Sequence, residues 1–263
     1  MQADRPEGQR VEALTRGLTV LRKLVDAGRP LSATAIAAEM GLHQSSVSRL
    51  LATLADIGFV RKTAAGFSPD FGVLSLASAS EQFPLVNRPR AAMQRIGEQA
   101  GGLNVSLGMF WRNQMIYFLR RLASGEMIDF WWSTYPIQVS APGMRLLLDQ
   151  PESEALDTLR ASRARHGWLG NQDVLPGTEE GVLAAAREQT EHDVLVLRHW
   201  HHRGQVGAAI PIHAQEAYPV ALALSGPGER ADDATLRIWL HEFRREVEAS
   251  LRTDPSTWHA HDA

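Results

Sequence analysis

The chain has 263 residues, of which 44% are hydrophobic and 22% charged. This is the composition of a folded globular protein with enough apolar side chains for a sizeable core. Because the sequence contains no cysteine, disulfides, thiolate metal sites and cysteine nucleophiles are excluded. The polar N-terminus is unlike a signal peptide, and no apolar run approaches the roughly 20 residues that span a bilayer. We therefore expect a soluble cytoplasmic protein without a membrane partner.

The formal net charge of −3 is distributed unevenly. Residues 1–75 contain 9 basic and 7 acidic side chains, whereas residues 76–263 contain 18 and 23. A mildly basic head on an acidic body is the arrangement expected when a DNA-binding domain is joined to a larger domain with another role. The overall negative charge disfavours a protein that coats nucleic acid without specificity.

The spacing of apolar side chains predicts three helices near the N-terminus, over about 11–27, 33–40 and 44–56. Gly28 and Pro30 are placed to end the first helix, and Ser32 is placed to cap the second. The first helix carries an apolar stripe that we expect to be buried: Leu14, Leu18, Leu21 and Val25. The third helix carries a stripe of the same kind: Val47, Leu50, Leu51 and Leu54.

Two short predicted strands, 59–62 and 66–69, follow the third helix and flank a Thr-Ala-Ala-Gly turn. Helix, turn, helix and hairpin in this order predict a winged helix-turn-helix, whose third helix lies in the DNA major groove. Glutamine can read adenine, arginine can read guanine, and serine suits a base or a phosphate. The predicted DNA-binding residues are Gln44, Ser45, Ser46, Ser48, Arg49, Arg61 and Lys62. The alternative is a scaffold whose polar face is ordinary solvated surface.

After a weakly helical segment at 71–83, the pattern predicts a second domain that mixes helices and strands. The predicted strands are 104–110, 115–122, 127–132, 194–199, 205–211 and 220–225. The predicted helices are 90–99, 144–149, 152–165, 179–190 and a last helix capped by Asp232 or Asp233. The first three strands follow one another with short turns, which favours an antiparallel meander.

The sequence resembles the IclR family of transcriptional regulators over nearly its whole length. The DNA-binding domain of that family is similar to ALTRGLTVLRKLVDAGRPLSATAIAAEMGLHQSSVSRLLATLADIGFVRK, with its Arg-Leu-Leu at Arg49–Leu51 and Leu-x-x-x-Gly at Leu54–Gly58. The family's effector domain is similar to PIQVSAPGMRLLLDQP (136–151) and GQVGAAIPIHAQEAYPVALALSGPGER (204–230). Each segment alone would be a weak signal, and the combination is specific.

The resemblance implies an α+β fold with an N-terminal winged helix-turn-helix and a C-terminal GAF-like α/β effector-binding domain. The corresponding boundaries are 1–75 for the DNA-binding domain, 76–88 for a linker helix, 89–252 for the effector-binding domain and 253–263 for a flexible tail. It also implies a homodimer or homotetramer on palindromic, double-stranded operator DNA, and small organic acids as effectors. No cofactor is expected.

The chain departs from the family pattern at two places. It has Phe67-Ser68-Pro69-Asp70 where the family usually has Tyr-x-Leu-Gly after the wing, so the exit from the wing differs. It has Pro142-Gly143-Met144-Arg145 where the family usually has a small residue followed by Gly-Lys-Ala. Because proline has no N–H, one backbone contact that the family can offer a carboxylate is absent here.

The predicted effector site combines a strand face, a turn and a serine. Strand alternation places Met127, Asp129 and Trp131 on one face, and the family resemblance turns that face toward the ligand. The turn 141–143 leads into a helix N-terminus, which favours an anion, and Ser225 matches a family position that hydrogen-bonds the ligand. The predicted effector-binding residues are Met127, Asp129, Trp131, Ala141, Pro142, Gly143 and Ser225. The alternatives are that the tryptophan is core and that the serine satisfies a neighbouring backbone group.

These residues predict a small organic acid with a ring, bound between Trp131 and the turn 141–143. Asp129 would repel an acid unless it binds a ligand hydroxyl or pairs with Arg120 or Arg145. A hydroxylated acid, aromatic or sugar-derived, meets that condition.

The predicted function is a DNA-binding transcriptional regulator, a repressor of catabolic genes. An activator of the same architecture, an enzyme with an appended helix-turn-helix and an architectural DNA-binding protein are the alternatives. The enzyme is disfavoured because the sequence has no Gly-x-Ser-x-Gly elbow, phosphate loop or dinucleotide fingerprint. The histidine-rich run 198–203 contains candidate metal ligands, His199 and His201, with His202 beside them. Solvated histidines are the favoured interpretation, so no metal site is predicted.

Overall fold

The computed structural model describes residues 11–77, 83–132 and 135–252. The chain divides into two compact units, Met1–Gln82 and Phe83–Ala263. The division falls inside the segment 76–88 that the sequence marks as a linker. In the described residues, no helix combines the length and the apolarity needed to cross a membrane.

The N-terminal unit contains helices packed on a two-stranded hairpin. Its elements are α1 (Glu12–Ala27), α2 (Ala33–Met40), α3 (Gln44–Asp56), β1 (Val60–Thr63), β2 (Gly66–Pro69) and α4 (Gly72–Ala77). The Ser32 hydroxyl accepts a hydrogen bond from the Ala35 N–H at 3.1 Å, which is the predicted N-cap of α2. Gly28 ends α1 with a φ of 60°, a left-handed conformation that glycine adopts at little cost.

The buried stripe of α1 differs from the predicted one. Of the predicted residues, only Leu21 is buried, whereas Leu14, Leu18 and Val25 are 62%, 55% and 47% exposed. The buried positions are Gly17, Val20, Leu21 and Leu24. These four also follow the i, i+3, i+4, i+7 spacing of a helix face, so α1 is apolar over a wider arc than its core contact needs. Position 17 is a glycine where α3 comes close, since a Cβ there would lie 3.8 Å from a Leu50 methyl group.

The C-terminal unit is a seven-stranded sheet covered by helices. Its strands are β3 (Asn104–Trp111), β4 (Gln114–Arg121), β5 (Met127–Trp132), β6 (Thr190–Glu191), β7 (Val194–Arg198), β8 (Gln205–Ile212) and β9 (Val220–Pro227). They pair antiparallel in the order β5-β4-β3-β9-β8-β7-β6. Its helices are α5 (Pro84–Asn87), α6 (Arg90–Gln99), α7 (Ala141–Leu147), α8 (Glu152–His166), α9 (Glu179–Glu188) and α10 (Asp233–Leu251). Two 3-10 turns, Ile137–Val139 and Gly228–Arg230, complete the unit.

Each face of this sheet has its own apolar core. On one face, α6 and α10 pack through residues such as Met93, Ile96, Leu240 and Phe243. On the other face, α7, α8 and α9 pack through residues such as Met144, Leu147, Leu159 and Val182. The predicted last helix is capped by Asp232, whose carboxylate accepts from the Thr235 N–H at 2.8 Å.

One extra residue in β4 breaks the usual alternation of side chains. Leu107 of β3 lies opposite Leu119, but the next residue, Gly108, lies opposite Tyr117, so Phe118 has no partner position. Phe118 and Leu119 both belong to the core on the α6 and α10 face, whereas Tyr117 belongs to the opposite core. This β-bulge therefore places Tyr117 on the α7 face of the sheet.

We expect Leu51→Ala to destabilise the N-terminal unit by about 2–5 kcal/mol, because Leu51 is fully buried between the helices. Ser48→Ala is the matched control on the exposed side of the same helix, with an effect within about 0.5 kcal/mol. All tryptophans lie between residues 111 and 258, so the loss should appear as an earlier melting step in far-UV circular dichroism without a change in tryptophan fluorescence. Equal melting of the two variants would contradict the packing of α3.

Candidate functional site

The outward face of α3 carries the polar side chains predicted to contact DNA. Gln44, Ser45, Ser48 and Arg49 are exposed, and Ser46 is half-buried. They lie opposite Val47, Leu51 and Leu54, which pack into the core of the unit. Because the helix begins at Gln44, these side chains surround its N-terminal end, where N–H groups favour a phosphate. The arrangement offers hydrogen-bond donors and acceptors to a duplex without disturbing the core.

The two basic residues of the wing have different surroundings. Arg61 and Lys62 are consecutive on β1 and both are exposed. Arg61 borders a shallow apolar groove together with Val25 of α1 and Leu74 of α4. Lys62 lies opposite Phe67 on the paired strand. Both remain predicted DNA contacts.

A cavity of about 230 Å³ lies in the C-terminal unit between the sheet and the start of α7. Its polar lining comes mainly from the sheet and the turn after β7: Asn104, Ser106, Arg120, His201, Gln205 and Ser225. Its aromatic and apolar lining includes Tyr117, Tyr135, Leu197 and Trp200. The combination of ring faces with a few convergent polar groups is that of a small-molecule site.

A hydrogen-bonded group joins β4 to the start of α7. The Tyr117 hydroxyl lies 3.0 Å from the Ser140 hydroxyl, which also accepts the Gly143 N–H at 3.2 Å and so caps the helix. Burial raises the pKa of Tyr117 above its ordinary value of 10.0, against the smaller opposing effects of Ser140 and Arg120. Tyr117 is therefore a neutral hydrogen-bonding group at physiological pH.

This group changes the predicted role of the turn 141–143. The Gly143 N–H, which the sequence interpretation offered to a carboxylate, donates to Ser140 instead. A Cβ at position 143 would lie 2.8 Å from Ile137 and 3.0 Å from Met115, so Gly143 packs away from the cavity. Ala141 and Pro142 do line the cavity, but proline has no N–H to donate.

The sheet supplies a polar patch to the same cavity. Ser106 lies opposite Arg120 on β4 and opposite Ala223 on β9, so the three form one row across the sheet. The Arg120 Nε donates to the Ser106 hydroxyl at 3.2 Å. Asn104 lies opposite Ser225, and its side-chain amide donates to the Ser225 carbonyl at 3.2 Å. Ser225 thus lines the cavity as predicted from the family resemblance.

The histidine run does not form the strand that would place His199 and His201 on one side as metal ligands. β7 ends at Arg198, and His199 has a φ of 66° with its Nδ1 accepting the Gly204 N–H at 2.9 Å. His201 lies edge-on to Tyr135, with ring centroids 4.7 Å apart. Burial, with a smaller effect of His202, lowers the pKa of His201 below 6.5. Within the described ranges, no group of three or more histidine, aspartate or glutamate side chains is placed to hold a metal.

The structure does not bring two of the predicted effector residues to this cavity. Met127 packs against the core on the α6 and α10 face. Asp129 pairs with Arg90 of α6, and not with Arg120 or Arg145. Met127 and Asp129 share one strand face, as predicted, but that face is turned toward α6 and not toward the cavity. The Trp131 backbone pairs with Tyr117, and its side chain lies outside the described residues.

Sequence reasoning missed several residues of the cavity: Tyr117, Arg120, Tyr135, Ser140, Trp200 and Gln205. One signal was available, because Arg120 and Arg121 are charged residues at the end of a strand that is apolar from Met115 to Leu119. Such a residue needs a polar partner or a ligand when its strand lies inside a sheet. The bulge at Phe118 has a weaker mark, which is the isolated Gly108 at the same point of the paired strand.

Comparison with known proteins agrees with both parts of the structure. Residues 13–64 match the model of the IclR helix-turn-helix domain, which is the unit that carries the exposed polar face of α3. Residues 13–64 are therefore a helix-turn-helix domain of the IclR type. The predicted α+β fold, with a helix-turn-helix unit followed by a mixed helix and sheet unit, is confirmed. A search of curated proteins gives no match.

Solved structures of IclR-family proteins share this fold along nearly the whole chain. An IclR family regulator from Brucella abortus has 23% identity and a TM-score of 0.72, with 95% of each chain covered. A regulator from Alicyclobacillus acidocaldarius has 20% identity and a TM-score of 0.72, covering 92% of this chain and 100% of that one. An IclR homologue from Microbacterium hydrocarbonoxydans, complexed with 4-hydroxybenzoate, has 17% identity and a TM-score of 0.66, covering 92% and 100%. At these identities the likeness establishes the fold.

We expect Ser140→Ala to destabilise the C-terminal unit by about 1–3 kcal/mol, since it removes the cap of α7 and the hydrogen-bond partner of a buried hydroxyl. In the Tyr117→Phe background the same change should cost less, because no buried hydroxyl is left without a partner. Tryptophan fluorescence in urea titrations of the four proteins measures this coupling. Strict additivity would show that the Tyr117–Ser140 bond does not contribute.

Proposed function

We propose that this protein is an IclR-family regulator that binds double-stranded operator DNA through α3 and the wing, represses catabolic genes, and releases the operator when a small organic acid occupies the cavity. The observation that carries the effector part is the mixed aromatic and polar lining of that cavity, with Arg120 among its side chains. The proposed function includes no catalysis, and it implies action in the cytoplasm.

The DNA-binding part is supported by the chemistry and exposure of α3. Gln44 and Arg49 suit bidentate contacts to adenine and guanine, and the three serines between them suit bases or phosphates. Lys62 and Arg61 on the wing add positive charge for the duplex backbone. All of these side chains are on one unit, whose core stays intact when they are exchanged.

The acid part is supported by the size and the lining of the cavity. A volume of about 230 Å³ is slightly below the range of about 300–1,000 Å³ for drug-sized ligands, which favours a single-ring compound. The IclR homologue from Microbacterium hydrocarbonoxydans was crystallised with 4-hydroxybenzoate, an aromatic acid of this size. We therefore favour an aromatic acid over a sugar-derived one, with Trp131 as a further proposed contact.

A homodimer or homotetramer is supported by the apolar surface of the N-terminal unit. Leu14, Leu18 and Val25 on α1, Phe71 directly before α4 and Leu74 on α4 are exposed. Large exposed apolar side chains in one small unit favour a covering partner. A second copy would pair two recognition helices, as palindromic operators require.

Arg49→Ala is expected to weaken operator binding by about 1–3 kcal/mol, roughly tenfold to a hundredfold, and to relax base preference at one operator position. Arg160→Ala removes the same charge from an exposed position on α8 and is the matched control. Both are measured by gel-shift titration at fixed salt, with circular dichroism as the folding check. Operator affinity equal to that of the unmodified protein would remove Arg49 from the DNA interface.

Ala223→Leu tests the cavity as the effector site. Ala223 is buried on β9 and borders the cavity, so a larger side chain there should occupy the space of a ligand. We expect the variant to bind operator with unchanged affinity and to release it only at a much higher acid concentration, or not at all. The readout is operator release titrated with 4-hydroxybenzoate and related acids, with thermal melting without acid to verify folding. Release at the same acid concentration as in the unmodified protein would place the effector elsewhere. The sign of regulation needs a separate measurement: a reporter gene behind the operator that loses its signal when this protein is deleted would indicate an activator.

A further inference from the structure

The lining of the cavity has many polar side chains but few charged ones. Among the described residues that line it, Arg120 carries the one permanent charge, and no aspartate or glutamate is present. His201 is largely uncharged at neutral pH, since its pKa lies below 6.5, and the Tyr117 hydroxyl stays protonated. The described lining therefore carries a charge of about +1, which complements a ligand with one negative charge.

The start of α7 supplies little to hold that negative charge. Two of its N–H groups are already used, since Gly143 donates to the Ser140 hydroxyl at 3.2 Å and Met144 donates to the Ser140 carbonyl at 2.8 Å. Pro142 between them and the cavity has no N–H. Ala141, which lines the cavity, is the remaining residue of this turn with an N–H, so most of the polar groups available to an anion lie on the sheet.

Arg120 is held in the geometry that a carboxylate needs. It is half-buried on β4, and its Nε donates to the Ser106 hydroxyl of the neighbouring strand. Its guanidinium carbon lies 5.9 Å from the ring centre of Tyr117. A guanidinium that the protein already holds in place loses little freedom when it binds a carboxylate, and its planar fork of N–H groups matches the two oxygens.

We propose that Arg120 binds the carboxylate of a monoanionic aromatic effector, with the ring of the ligand lying among Tyr117, Tyr135 and Trp200. This assignment rests on the proposed function of the cavity as the effector site. It makes Arg120 a specificity-determining residue that selects one acid group, and it assigns the carboxylate to the sheet side of the cavity.

The assignment predicts a defined order of ligands. Benzamide has the shape of benzoate but no charge, so it cannot form an ion pair with the guanidinium. Isophthalate carries a second carboxylate that would enter a lining without a second permanent positive charge among the described residues, and burying an unpaired charge is costly. Benzoate should therefore bind more tightly than either compound.

The test is calorimetric titration of the full chain and its R120Q, R120K and R112Q variants with benzoate, benzamide and isophthalate. We expect R120Q to weaken benzoate binding by about tenfold to a hundredfold and to change benzamide binding by less than about threefold. R120K should recover part of the benzoate affinity, because it restores the charge without the planar fork. R112Q removes an arginine in the exposed turn between β3 and β4 and is the matched control, with no change expected.

The outcomes separate this assignment from the proposed function. The assignment is wrong if R120Q is folded by circular dichroism and binds benzoate as tightly as the unmodified protein. It is also wrong if the unmodified protein binds benzamide as tightly as benzoate, or if it binds none of the three compounds. Operator release is measured in parallel. If benzoate binds through Arg120 but operator affinity does not change, the assignment is supported and the proposed control of DNA binding by the cavity is contradicted. Operator release at the same benzoate concentration in R120Q and the unmodified protein supports the function and contradicts the assignment.

Discussion

The bulge at Phe118 is the constraint on which the cavity depends. In a regular strand, Tyr117 and Leu119 would share a face, and Arg120 would face away from Tyr117. One additional residue places Leu119 and Phe118 in the core beneath α6 and α10, and leaves Tyr117 and Arg120 together on the α7 side. A hydroxyl for Ser140 and a cation for a ligand thus come from one strand, three positions apart. Deleting the extra residue would exchange one of these groups for an apolar side chain.

The start of α7 and the cavity are built from the same hydrogen bonds. Ser140 caps α7 through Gly143 and meets Tyr117 from β4, so the polar groups at this end of the cavity stabilise one another. A buried hydroxyl without a partner costs about 1–3 kcal/mol, which keeps this arrangement intact in the absence of ligand. Most of the donors that remain for an acid are those of the sheet, where Ser106 and Asn104 connect three adjacent strands. The chemistry of binding is therefore assigned to the most rigid part of the unit.

The sequence predicted the bounds of helices and strands better than it predicted which of their sides are buried. The bounds of α2, α3, α6 and β5 agree with the prediction because their caps, glycines and apolar spacing act locally. Two side-chain faces were wrong for physical reasons. In α1, apolar residues cover two adjacent stripes, and only packing against α3 decides that Val20 and Leu24 are buried and Leu18 is not. In β5, Met127 and Asp129 share a face as predicted, but the pairing with Arg121 and Leu119 of β4 turns that face toward α6. Gly108 on β3 lies where the register shifts, but a glycine inside a strand does not specify which face its neighbours take.

The DNA-reading face and the cavity use opposite physical conditions. Arg49 and Gln44, the proposed DNA contacts, are exposed side chains on a helix and lose little solvation until a duplex arrives. Arg120 is effective because it is half-buried, where its charge is screened less by water and its orientation is fixed by Ser106. Each site lies in a unit with its own core, so a substitution in one leaves the packing of the other unchanged. Under the proposed function, a few residues on β3, β4 and β9 would set the choice of acid, and those on α3 would set the choice of operator independently.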